Sequence, residues 1–115
     1  MVDDDPNMHR LINFYLKNSQ AEVVTTSSGR MALQKMAEQG FHLVISDMQM
    51  PQMDGIELVK KIRSLGSTIP VLIVSAFGYY SHASKAIQAG ANVVLEKPFE
   101  RDELLRVIKQ LIKKK

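Results

Sequence analysis

The sequence predicts an α/β fold, a doubly wound parallel sheet with helices on both faces, and three observations predict it. Short apolar runs without polar alternation, Leu43-Val44-Ile45, Val71-Leu72-Ile73-Val74 and Val93-Val94-Leu95, suit strands buried on both faces. Stretches of helical periodicity separate them, which implies right-handed crossovers between parallel neighbours. Each run also leads into a polar residue, Asp47, Ser75 and Lys97 in turn, at the strand edge where open α/β sheets place their chemistry.

Taken in order, Asp5 reads as an N-cap with Pro6 at the first helical position. Met8, Leu11, Ile12, Tyr15 and Leu16 follow the spacing of one buried face, so the first helix is expected to reach about Asn18. Glu22-Val23-Val24-Thr25-Thr26 reads as a strand. Ser27-Ser28-Gly29 opens a second helix carrying Met31, Leu33, Met36 and Ala37 and closed by Gly40. After the strand ending at Asp47, Pro51 and Asp54-Gly55 mark a loop, which puts Asp47 at a rim. A third helix carries Ile56, Leu58, Val59 and Ile62, and Ser64 to Pro70 forms a loop before the next strand. Ala76 to Tyr80 is a loop, and a helix from about Ser81 ends at Gly90. Glu96-Lys97-Pro98 follows the last strand, and Leu104, Leu105, Val107, Ile108, Leu111 and Ile112 give a final amphipathic helix.

With 115 residues, 45% of them hydrophobic, the chain is expected to form one domain, residues 1–115, with a real core. No apolar run approaches the length of a membrane span, and Met1-Val2-Asp3-Asp4-Asp5 is unlike a signal peptide, so a cytoplasmic location is expected. The absence of cysteine excludes disulfides, thiolate metal sites and cysteine nucleophiles. The net charge of +3 is unevenly spread, with Lys109, Lys113, Lys114 and Lys115 at one end. Cations at a helix C-terminus suit the macrodipole, and that reading is preferred to a nucleic-acid patch. His9, His42 and His82 lack metal-ligand spacing and are expected on helix faces or the surface. Met48, Met50 and Met53 suggest an adaptable surface near Asp47.

One piece is nearly absent. Every later strand is preceded by a helix, so the acidic triplet should itself follow a strand, yet only Met1-Val2 precede it. The first strand is therefore expected to be truncated to about Met1-Val2, and its neighbours to lose pairing partners.

The chain resembles a receiver domain of a two-component response regulator. The resemblance rests on the Val2-Asp3-Asp4-Asp5-Pro6 turn, Asp47-Met48-Gln49-Met50-Pro51 through Asp54-Gly55, Ser75-Ala76, Ala89-Gly90-Ala91 and Lys97-Pro98-Phe99. Their order and spacing together are specific, although each alone is weak. The resemblance implies a flavodoxin-like (βα)5 fold with strand order 2-1-3-4-5. It also implies that Asp47 is a phosphoacceptor served by a histidine kinase or phosphotransfer protein, since the chain has no glycine-rich nucleotide cradle.

A carboxylate attacking a phosphoryl group meets charge repulsion, and several carboxylates at one rim call for a cation. By resemblance, Asp4 and Asp47 bind Mg²⁺ (or Mn²⁺) directly, Asp3 acts through water, and the backbone carbonyl of Gln49 adds an oxygen. Asp47 is then the nucleophile, Lys97 holds one phosphoryl oxygen and Ser75 hydrogen-bonds another. Pro98 resembles the family's cis proline, which would aim Lys97 inward. Such a domain transfers a phosphoryl group to itself and is not a turnover enzyme. Its phosphorylation is expected to switch the helix-four, strand-five, helix-five face, which would meet an effector or a second copy.

The chain departs from the family at Val94, where an aromatic is usual, leaving Phe77 or Tyr79 to carry the coupling. Gln49 and Phe77 flank the site, and Phe77 is expected to slow loss of the phosphate. Two rivals are a non-switching pseudo-receiver that acts as a binding scaffold, and a phosphatase with an aspartate nucleophile. The second usually carries another Asp two residues on, where this chain has Gln49. A serine hydrolase lacks its glycine-flanked nucleophile turn.

Overall fold

The computed structural model describes residues 1–17, 19, 21–50, 52–76 and 80–113, without the side chains of Tyr80, Ser81, His82 and Lys113. Three parallel strands, β1 (Val44–Asp47), β2 (Val71–Ser75) and β3 (Val93–Glu96), lie in the order β1-β2-β3. Five helices accompany them: α1 (Pro6–Tyr15), α2 (Gly29–Glu38), α3 (Gly55–Ser64), α4 (Tyr80–Ala89) and α5 (Arg101–Lys113). In β1 and β2 every residue is buried, as unbroken apolar runs require.

Two cores sandwich the sheet. Val44, Val71 and Ile73 point to one side and pack with Ala32 of α2, Leu58, Val59 and Ile62 of α3, and Ala86 of α4. Ile45, Leu72, Val74 and Leu95 point to the other, against Ile12 of α1 and Leu104, Ile108 and Leu111 of α5. The alternation is the two-residue period of a strand, and helices on both faces make the sheet doubly wound.

The first strand is reduced to a bridge at Met1-Val2, in line with expectation. Only Val2 pairs, as a single parallel bridge to Thr26 on one side and to Ser46 on the other. That places it between the two segments, so the order 2-1-3-4-5 survives in outline. Residues Glu22 to Thr26 are not a strand here: of them Thr26 alone bridges, to Val2. Four backbone hydrogen bonds secure the junction, Val2 N to Ile45 O (2.7 Å), Asp47 N to Val2 O (2.9 Å), Thr26 N to Met1 O (2.9 Å) and Asp3 N to Thr26 O (3.1 Å). At about 0.5–1.5 kcal/mol each, they rival the burial of the Val2 side chain in tying the N-terminus to the sheet.

Helix starts follow their sequence signals. Asp5 caps α1 by accepting from Asn7 N, with Pro6 at the first position. Ser28 caps α2 through Met31 N, and Asp54 and Glu57 form a reciprocal capping box on α3. The first helix ends at Tyr15, before Asn18, which lies outside the described residues. In α2 Leu33 and Met36 pack against the core as expected, together with buried Ala32, whereas Met31 and Ala37 are exposed.

Candidate functional site

The C-terminal ends of the strands gather the predicted residues. Pairing of Asp47 with Val74 and of Ser75 with Glu96 brings the three strand ends level. Lys97 leaves β3 with its amide donating to Ser75 O (2.7 Å), and the Lys97–Pro98 peptide is cis. Lys97 Nζ then donates to Asp47 Oδ1 at 2.9 Å, a bond within which both side chains are largely withdrawn from water. Phe99, next along, is buried and meets Tyr15 of α1 edge-on, which anchors the segment carrying Lys97.

Asp3 is placed by the Val2 bridge. Its amide is held by Thr26, and its carboxylate Oδ1 accepts from Asp5 N at 2.9 Å. Its Oδ2 is buried and has no hydrogen-bond partner among the described residues. The Asp3 side chain is only 1% exposed, so burial is the main reason its carboxyl is pushed above the usual range. The Asp5 amide opposes that shift, the Asp47 charge adds to it, Lys97 opposes it and Asp4 adds to it. Asp4 itself is exposed. One carboxylate oxygen from each of Asp3, Asp4 and Asp47 lies within 4.8 Å of the others.

An orphaned buried carboxylate oxygen within a cluster of three such groups, with one nearby ammonium, is under-compensated in charge. Hard oxygen donors of this kind fit Mg²⁺ or Mn²⁺, which keep several waters and need few protein ligands. Gln49 follows in the loop, exposed, and its carbonyl accepts no hydrogen bond from the described residues. Ser75 is buried at the same edge, but its hydroxyl turns to Ala76 O, 3.4 Å away, and makes no bond to Asp47. Phe77 and Tyr79 lie outside the described residues, as does Pro51, while Val94 packs into the core beside α3 and α4.

Gly55 was legible in the sequence only as a turn, and the structure gives it a second task. Its amide donates to Met48 O at 2.8 Å, and a Cβ there would stand 2.6 Å from Asp47 O. The N-terminus of α3 can approach the tip of β1 because this residue has no side chain. Of the three methionines near Asp47, Met48 is buried, while Met50 and Met53 rest against the core and stay partly exposed. His42 is exposed, His9 is half-buried with Nε2 unpartnered, and the His82 side chain lies outside the described residues.

The family model described as response regulator receiver domain matches residues 1–109. Among curated relatives, the transcriptional regulatory protein FixJ of Bradyrhizobium diazoefficiens is 35% identical over 98% of this chain and 55% of its own length. ZraR of Escherichia coli K12 is 36% identical over 97% of this chain. A 14.6 kDa protein from the sodA1 3' region of Leptolyngbya boryana is 34% identical over 96% of this chain and 86% of its own. The chain thus spans about half of FixJ and 25% of ZraR. Among solved structures, the receiver domain of NtrX from Brucella abortus superposes with a TM-score of 0.94 at 28% identity, covering 99% of this chain and 97% of that one. A response regulator receiver domain protein from Clostridium thermocellum gives 0.91 at 29% identity, over 98% and 91%.

Proposed function

The chain belongs to the response regulator receiver domain family, and from that premise we propose that it accepts a phosphoryl group on Asp47 from a phosphohistidine of a histidine kinase or phosphotransfer protein. The observation that carries this reading is the pairing of Lys97 Nζ with Asp47 Oδ1 at 2.9 Å beside the unpartnered Oδ2 of Asp3. In the transfer, a carboxylate oxygen of Asp47 attacks phosphorus as the phosphorus–nitrogen bond to the imidazole breaks. The ring nitrogen keeps the electron pair, and the product is a mixed anhydride.

Lys97 supports the step as a point charge, leaving the carboxylate for a phosphoryl oxygen as negative charge moves outward. The Ser75 hydroxyl would rotate away from Ala76 O to donate to another phosphoryl oxygen. Asp3, Asp4, Asp47 and the Gln49 carbonyl would hold Mg²⁺ or Mn²⁺, which when bound supplies positive charge against the repulsion between carboxylate and phosphoryl group. The domain catalyses its own phosphorylation and hydrolysis and does not turn over an external substrate.

The output surface in this reading is the face made by α4, β3 and α5, which meets an effector or a second copy. A cytoplasmic location is part of the proposal; no helix among the described residues is long and apolar enough to cross a membrane. Intact mass after incubation with acetyl phosphate tests it. A gain of one phosphate that requires Mg²⁺ and disappears in Asp47→Asn is expected. No gain in the folded protein overturns the reading.

A further inference from the structure

Arg101 stands where its charge is least favourable. It is the first residue of α5, and a cation there opposes the helix dipole, whereas Asp102 and Glu103 beside it suit that end. Its guanidinium reaches away from α5. Nε donates to the Tyr15 carbonyl at 3.1 Å, in the last turn of α1, where carbonyls lack partners within the helix and carry the negative end of the dipole. No other donor reaches that carbonyl among the described residues. The carboxylate of Asp102 is the competing partner for the Arg101 charge, but it lies 3.9 Å away and in open solvent, where such a pair is worth little.

Tyr15 returns the contact. Its phenol hydroxyl donates to the Phe99 carbonyl at 3.4 Å, and its ring meets the Phe99 ring edge-on with centroids 6.2 Å apart. Through its hydroxyl, its ring and its carbonyl, one residue of α1 is thus fastened to Phe99 and Arg101, just beyond Lys97 in the chain. On the near side of Lys97, β3 is held in register by β2, and the Lys97 amide donates to Ser75 O at 2.7 Å. Lys97 therefore sits on a short span held at both ends, with its ammonium on Asp47 Oδ1 at 2.9 Å.

We propose that Tyr15, with Arg101, is a positioning residue for phosphoryl transfer: it fastens the span that carries Lys97, so that the ammonium stays within reach of both Asp47 Oδ1 and the incoming phosphoryl oxygen. This rests on Asp47 being the phosphoacceptor. The ammonium changes acceptor efficiently only while its backbone stays still, because a flexible four-carbon stem on a loose span would spread the charge over many positions. Tyr15 acts through Phe99 and Lys97, not on the reacting atoms.

Two readouts separate this role from general support of the fold. Tyr15→Phe removes only the hydroxyl, and Arg101→Ala only an exposed side chain. Each is expected to slow the initial rate of phosphorylation by acetyl phosphate with Mg²⁺ about three-fold, the worth of one hydrogen bond, and to change nothing further when introduced into Lys97→Met. The second readout needs no phosphorylation: trace acetic anhydride labels the lysines, and peptide mass gives the yield at Lys97 relative to exposed Lys60. Both variants are expected to raise that ratio about two- to three-fold, as the loosened ammonium parts from Asp47 more often. Equal slowing in the parent and in the Lys97→Met background overturns the proposal, and so does an unchanged rate or an unchanged labelling ratio. A parent that takes up no phosphate, with the ratio raised in both variants, sinks the phosphoacceptor reading and leaves the fastening of Lys97 by Tyr15 standing.

Discussion

Lys97 Nζ and Asp47 Oδ1 meet at 2.9 Å across 50 residues of sequence and across the whole of β2, which lies between the strands that carry them. A pair this remote in the chain is held by sheet register and by the anchored Phe99, not by local structure. Replacing Lys97 with methionine keeps the stem and removes the charge. The initial rate of phosphorylation by acetyl phosphate is expected to fall roughly ten- to a hundred-fold, the equivalent of one charge-assisted hydrogen bond, and the melting temperature to fall as well because the Asp47 carboxylate loses its ammonium partner. Stopped-time mass spectrometry reads the rate.

Asp3 carries an opposite signature. Its carboxyl is raised chiefly by burial, so the folded protein binds a proton more readily than the unfolded chain. Metal-free stability is therefore expected to fall as pH rises from the ordinary carboxylate value of 3.8 through the raised one, and to stay low above it. Asp3→Asn should remove that slope and melt higher than the parent at neutral pH in EDTA. Adding Mg²⁺ should raise the parent's melting temperature and leave the variant's nearly unchanged. Thermal melts across pH with EDTA or Mg²⁺ check both signs.

Gly55 and Gly40 make a matched pair. A Cβ at Gly55 would press on Asp47 O at 2.6 Å and Met48 Cα at 3.1 Å, both backbone, whereas one at Gly40 meets nothing within 4 Å. Gly55→Ala is expected to destabilise by about 1–3 kcal/mol and to slow phosphorylation by displacing the β1 tip. Gly40→Ala should leave both unchanged. Urea denaturation with the phosphorylation assay separates the two.

Arg63 holds a corner of the fold far from the acidic site. Its guanidinium donates to the carbonyls of Ser67, Ile69 and Gly90 and to Asn92 Oδ1, and Asn92 Oδ1 in turn accepts from Val71 N at the start of β2. Arg63→Met takes the guanidinium donors from the carbonyls of Ser67, Ile69 and Gly90, while Asn92 Oδ1 keeps Val71 N, and is expected to cost about 2–4 kcal/mol of stability. Arg63→Lys should recover less than half, because an ammonium cannot span the fork of carbonyls. Chemical denaturation of the three proteins is the measurement.

Sequence by itself determined the elements whose cause is local. Unbroken apolar runs marked β1, β2 and β3 because strands covered on both faces have no polar side to display. Asp5-Pro6, Ser28 and the Asp54-Glu57 pair marked helix starts because caps are short-range hydrogen bonds. Asp47, Ser75 and Lys97 were assigned to one edge because each stands at the end of such a run. Tertiary structure alone decided what depends on partners distant in the chain. Residues Glu22 to Thr26 have the composition of a strand but bridge only at Thr26, since a strand forms only where a neighbour pairs with it. On α2 the inward face takes Ala32 beside Leu33 and Met36 and leaves Met31 exposed, a choice made by the packing of the helix on the sheet. Likewise the orphaned Oδ2 of Asp3 follows from burial, which no window of sequence contains.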